Sequence, residues 1–329
     1  MSLSERTLKL SQIDLFRSLS VNQLVEIASV AEEVRFAPET EISFDDEANR
    51  GLYLIVAGEV SVEQERPDSQ TGVTQLACFG PGESIGIAML FGMSPHSLKI
   101  RILQESVMLC IGTQAFLAIA KDAPVISLEV ARVLCERLGL AIEILKKESK
   151  TPLNDSSGAP AGRVGNALPD RVDDAANEQI KIIKRVAQLR QIDIFRDLSA
   201  HQLATIAVVA EEVLLEPESV VFSEEVPCRG LHLIVAGEVA IEQDRPDNQA
   251  GAVQLTRFGP GQVFALGALF GMKMSGLKAR TLCETEALVI TKGEFYAISR
   301  EHPEIALRTC QVLSERLGGV IQELERKDG

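Results

Sequence analysis

GLYLIVAGEV at Gly51–Val60 returns as GLHLIVAGEV at Gly230–Val239, and this recurrence decides the architecture. Working outward, QIDLFRSLS at Gln12–Ser20 returns as QIDIFRDLS at Gln191–Ser199, FGPG at Phe79–Gly82 as Phe258–Gly261, LFGM at Leu90–Met93 as Leu269–Met272, and ERLG at Glu136–Gly139 as Glu315–Gly318. Gly58 and Gly237, Gly80 and Gly259, Arg137 and Arg316 all stand 179 residues apart, and no insertion or deletion interrupts the match from Gln12 to Leu145. A unit of about 140 residues is far longer than a solenoid repeat, so the chain is a duplication of whole domains. The expected division is a first domain over 1–148, a linker over 149–178 and a second domain over 179–329. The linker is expected to be flexible, because TPLNDSSGAPAGRVGNALPDRVDDAAN has few large apolar residues to offset its ordering entropy.

Each repeat reads as helices flanking short strands. Ser20 followed by Gln23, and Ser199 followed by Gln202, are capping-box patterns ahead of apolar residues at helical spacing. Val34–Phe36, Glu41–Phe44, Leu52–Val56, Glu59–Gln64, Gln75–Phe79 and Leu98–Leu103 are short, β-branched runs bounded by Gly, Pro, Asn and Asp. The expectation is a mainly β fold with flanking helices, two tandem jelly-roll barrels in all. Each repeat closes on an apolar helical stripe, Ile126, Val130, Val133, Leu134, Leu138, Ile142 and Leu145 in the first and Leu313, Leu317, Val320, Ile321 and Leu324 in the second. Such a stripe either covers its own domain or forms a dimer seam.

Composition narrows the function classes. The 329 residues carry a net charge of −14, the wrong overall sign for a phosphate backbone. The apolar runs are too short to span a membrane, and MSLSERTLKLSQ lacks the core of a signal peptide, which points to the cytoplasm. The six cysteines stand far apart, without CxxC or Cys/His spacing, so they read as free thiols and no metal is expected. With four scattered histidines, no nucleophile motif and no phosphate loop, no catalytic residues are assigned.

IDLFRSLS, LYLIVAGEVSV, GPGE and RVLCERL together resemble the cyclic-nucleotide-binding domain family, over almost the whole of both repeats. The resemblance implies a cassette that holds the cyclic phosphate, roughly F-G-E-x-A-L-L followed by P-R-x-A. There the Glu holds the ribose hydroxyl, and the Arg and a helix N-terminus hold the phosphate. In the first repeat the stretch is IGIAMLF at Ile85–Phe91, so the cassette-equivalent positions are Gly86, Ile87, Ala88 and Met89, then His96 and Ser97. In the second they are Ala265, Leu266, Gly267 and Ala268, then Ser275 and Gly276. Ile87 and Leu266 replace the Glu; His96 and Ser275 replace the Arg. Losing a charge-assisted Arg–phosphate contact costs about two orders of magnitude in affinity.

Lys99, Arg101, Lys278 and Arg280 follow the cassettes, but strand parity sets 99 and 101 on the face opposite 96, 98, 100 and 102. They are expected to face solvent, with Leu98, Ile100 and Ile102 inward; His96 is either a weak anion contact or an ordinary surface residue. Two readings follow. One is a non-catalytic regulatory or scaffold protein, with no cofactor, that binds a protein partner or associates with itself through the C-terminal helices of each domain, forming a homo-oligomer. The other is a sensor that holds a cyclic nucleotide or another small ligand in the barrel pockets. The resemblance also extends to DNA-binding activators, but no segment here is left for a DNA-reading module, so no DNA partner is expected.

Overall fold

The computed structural model describes residues 1–43, 51–65, 73–93, 98–148, 174–196, 198–244, 252–271 and 276–326. Packing divides the chain into Met1–Glu148 with His302–Gly329, and Ser149–Glu301. The first unit runs α1 (Leu3–Leu10), α2 (Val21–Val30), β1 (Glu32–Phe36), β2 (Glu41–Ile42), β3 (Gly51–Ala57), β4 (Val60–Glu65), β5 (Val73–Phe79), β6 (Ser84–Ile85), β7 (Leu98–Ile102), β8 (Ser106–Gly112), α3 (Thr113–Asp122) and α4 (Pro124–Glu148). The second runs α5 (Asp174–Leu189), α6 (Ala200–Val209), β9 (Glu211–Leu215), β10 (Val220–Phe222), β11 (Gly230–Ala236), β12 (Val239–Asp244), β13 (Ala252–Phe258), β14 (Val263–Phe264), α7 (Leu266–Leu269), β15 (Leu277–Thr281), β16 (Thr285–Thr291) and α8 (Lys292–Glu301). The last helix, α9 (Pro303–Arg326), packs with the first unit.

Each unit is mainly β, with two four-stranded antiparallel sheets. Their strand orders are β1-β8-β3-β6 and β2-β7-β4-β5, and correspondingly β9-β16-β11-β14 and β10-β15-β12-β13. This is a jelly roll made of two separate sheets. In the first unit its interior is filled from both sheets by Ile42, Tyr53, Ile55, Val60, Ile85, Ile100, Ile102 and Met108. Leu52 and Leu54 alternate onto the other face of β3 and are also fully buried, which is why GLYLIVA reads as a continuous apolar run. The VAGE turn demands its glycine: Gly58 has φ +95°, and a Cβ there would sit 2.1 Å from the Ser106 hydroxyl.

Both capping boxes form, with Ser20 Oγ accepting from the Gln23 amide and Ser199 Oγ from the Gln202 amide. The six strands expected in the first repeat are present with small shifts of boundary; Phe44 lies outside the described residues. Two elements carry no strong sequence signal: β6 has two residues, and β8 (SVMLCIG) is buried on both faces and so lacks period-two alternation. α1 was signalled by Ser2 and Glu5, which form a third capping box that sequence reasoning missed. Of the expected linker, 149–173 lies outside the described residues. Residues 174–178 lie in α5.

The repeat boundary and the packing boundary differ at α9, because its apolar face is buried against α4. The Cys310 thiol donates to the Ser127 carbonyl at 3.0 Å, and farther along Leu317 and Ile321 meet Leu140 and Ala141 around one cavity. The two helices therefore run parallel. Ser127, Ala131 and Leu134 are buried in α4, and Ala306, Cys310 and Leu313, each 179 residues on, are buried in α9. The 4-3 spacing and small side chains give a coiled-coil-like seam within one chain. Among the described residues no helix is long and apolar enough to cross a membrane.

Candidate functional site

β5 ends at Phe79, and Gly80–Glu83 turn the chain into β6. The Gly82 amide donates to the Ile55 carbonyl at 3.0 Å, and the Ile55 amide to the Glu83 carbonyl at 2.9 Å, which locks this turn to β3. Gly86 then takes φ +85° and launches a short helical turn over Ile87–Phe91, closed by Gly92 at φ +90°. This is the stretch where the resemblance places the cassette. Ile87, where the resemblance calls for a carboxylate, is fully buried, and Ala88 is nearly so.

These residues form one wall of a cavity of about 330 Å³. Gly86, Ile87, Ala88 and Met89 line it together with Val62, Leu76 and Ala77 from β4 and β5. Leu98 and Ile100 of β7 also face it, and α4 and α9 close it with Leu140, Ala141, Leu317 and Ile321. Among the described residues, Arg137 is the one charged residue that lines it. His96 and Ser97 lie outside the described residues.

Arg137 projects from α4. Its Nη2 donates to the Ser84 carbonyl and lies 3.5 Å from the Ser84 hydroxyl, and the guanidinium carbon stands 5.0 Å from the centre of the Phe79 ring. No carboxylate among the described residues lies within 4 Å of it. Burial pulls its pKa down to about 10, against the weaker opposing pull of Glu83 and Glu136. The group stays charged at neutral pH. Arg137 is half-buried, and a carbonyl and a ring face meet part of its demand, which leaves donors of the fork open to a further acceptor.

β7 alternates as its sequence parity predicts. Ile100 and Ile102 are buried, while Arg101 on the opposite face pairs with Glu63 at 3.0 Å, Glu39 at 3.2 Å and Glu41 at 3.0 Å. Lys99 stands 3.6 Å from Glu41. Arg280 repeats the arrangement with Glu242 and Glu218. These arginines are engaged by carboxylates outside the roll and do not reach the cassette.

In the second unit Ala265 occupies the left-handed position at φ +64°, and Leu266 is buried. Gly267 and Ala268 continue α7, and the Gly276 amide donates to Glu224 at 2.7 Å; Ser275 lies outside the described residues. The interior here is aromatic. Phe264 stacks on His232 at 4.9 Å between centroids and tilts against Phe258 at 5.9 Å. The equivalent pair in the first unit is Ile85 and Tyr53. His232 is buried, and desolvation lowers its pKa to about 4 although its Nδ1 bonds the Gly230 carbonyl at 2.9 Å. Among the described residues no three His, Cys, Asp or Glu side chains are grouped as around a metal ion.

Sequence reasoning missed Arg137, Phe79 and the α9 residues as parts of this site. The available signal was a cation inside the otherwise apolar α4 stripe, repeated at Arg316.

The family model for the cyclic nucleotide-binding domain matches twice, at residues 33–123 and 212–302. Among solved structures, the regulatory domain of Toxoplasma gondii PKA with cAMP shares 13% identity over 99% of this chain and 95% of that one, with a TM-score of 0.34. The regulatory subunit of a cAMP-independent protein kinase A from Trypanosoma cruzi, bound to guanosine, shares 12% identity over 92% and 85%, with a TM-score of 0.33. The N-terminal domain of a Streptomyces coelicolor A3(2) transcriptional regulator shares 24% identity over 39% and 91%, with a TM-score of 0.35. No curated protein matches the chain in sequence.

Proposed function

Because the chain belongs to the cyclic nucleotide-binding domain family in both of its repeats, we propose that it is a non-catalytic regulatory or scaffold protein that does not hold cAMP or cGMP in the family's usual way. One observation carries this reading: Ile87 is fully buried in the cavity wall where the resemblance places the ribose-binding carboxylate. A nucleotide there would leave its ribose hydroxyl unpaired in apolar surroundings, at a cost of about 1–3 kcal/mol. Its partner is a protein. Within the single chain α4 and α9 pack on one another. Six cysteines, all free, fit a reducing cytoplasm.

The test is thermal unfolding with millimolar cAMP, cGMP or a cyclic dinucleotide. A ligand at 100 times its dissociation constant stabilises by about 2.7 kcal/mol. The expected result is an unchanged midpoint with all three, and a clear shift overturns the reading.

The cavity favours a second reading, a small-molecule sensor. A space of about 330 Å³ falls in the size range of ligand sites, and α4 and α9, which close it, would carry occupancy outward to a partner.

A further inference from the structure

We propose that the cavity of the first unit binds a small apolar monocarboxylate, with its carboxylate on the Arg137 guanidinium and its hydrocarbon body against Ile87, Leu98, Ile100, Leu317 and Ile321. The proposal rests on the sensor reading above and names the ligand class for that site.

Three features select the class. Among the described residues the walls are hydrocarbon and thioether apart from Arg137, so a sugar or a second charge would enter without partners. The guanidinium is a planar fork with donors in excess of the Ser84 carbonyl that it reaches, and a carboxylate accepts two parallel bonds from such a fork. The balance of charge is also one to one. No carboxylate among the described residues lies within ion-pair distance of Arg137, and a single negative charge neutralises it, whereas a dianion would bury an unpaired charge. The missing cassette anchors and this cation, which sits on a helix instead of in the cassette, describe one rewired site.

The chain has no tryptophan, and Leu140 lines the cavity while 63% exposed, so Leu140→Trp installs a single fluorescent reporter at the mouth. Octanoate, octan-1-ol and octanamide would be titrated into the full chain carrying this reporter, with cAMP alongside. Octanoate should bind about ten- to a hundredfold more tightly than the two neutral analogues. Arg137→Gln should close that gap while leaving octan-1-ol binding in place, which also shows that the variant is folded. Arg137→Lys, which keeps the charge and loses the fork, should fall between. Equal affinity for octanoate and octan-1-ol, an Arg137→Gln variant that still prefers octanoate, or no response to any of the three overturns the proposal. A response to micromolar cAMP keeps the sensor reading and overturns instead both this ligand class and the reading that the chain does not hold cyclic nucleotides.

Discussion

The thiol of Cys310 donates to the backbone carbonyl of Ser127 at 3.0 Å, joining residues 183 positions apart and fixing α9 alongside α4. A thiol this close to a helix backbone needs small neighbours, and Ala131 and Ala306 supply them, both fully buried. Cys135 is buried nearby, and desolvation pushes its pKa up to about 12; Cys310 is pushed well above the ordinary thiol value for the same reason.

This pairing predicts a labelling pattern. At pH 8 an alkylating reagent should modify the exposed Cys78 and Cys283 quickly and leave Cys135 and Cys310 unmodified in the native chain. Both buried thiols are protected by the same seam. Leu313→Ala, at a position 1% exposed, should cost about 2–5 kcal/mol and speed the labelling of both, as read by peptide mass spectrometry. Rapid labelling of Cys135 in the unmodified protein would mean that α9 does not cover α4.

His232 gives the second unit a pH dependence. Its folded pKa is depressed to about 4 against an ordinary value of 6.5, so the unfolded chain binds the proton first as pH falls. Stability from this group is full above pH 6.5 and declines between 6.5 and about 4, by up to ~3 kcal/mol. His232→Tyr, which installs the residue type found at Tyr53, should flatten that portion of the profile. Urea denaturation at pH 7, 6, 5 and 4.5 measures it; parallel profiles for the two proteins would show that His232 is not the titrating group.

Much of this was legible in the letters because it depends on local pattern. A 179-residue offset is plain in the letters alone, Ser20 and Gln23 announce their cap through three-residue spacing, and alternation along Leu98–Ile102 places Arg101 outside. β8 was not legible, since a strand buried on both faces loses the alternation that betrays it. Arg137 escaped for a different reason. Whether a cation in an apolar helical stripe snorkels to water or lies over Phe79 beside Ser84 depends on what closes the cavity, and α9 comes from 180 residues downstream. The charged face of the second copy shows the contrast: the equivalent Arg316 is exposed, although the ERLG motif around both residues is identical.

The cassette glycine supplies the last prediction. Gly86 at φ +85° and Ala265 at φ +64° hold the same position in the two repeats, and both start the short helical turn from a left-handed residue. A side chain with a Cβ pays about 1–2 kcal/mol in that region. Ala265 recovers some of it, because its methyl is buried beside Phe264 and Ala268, and one buried carbon group contributes about 0.8 kcal/mol. The two terms nearly offset, with strain the larger. Ala265→Gly should therefore stabilise the second unit by less than ~1 kcal/mol in urea denaturation, at an unchanged m value. Gly86→Ala is not its mirror image. It adds the strain of the left-handed region in full, so it should destabilise the first unit by about 1 kcal/mol or more. If Gly86→Ala were instead neutral, the left-handed turn would not be what shapes the cavity wall, and the placement of Ile87 would need another cause.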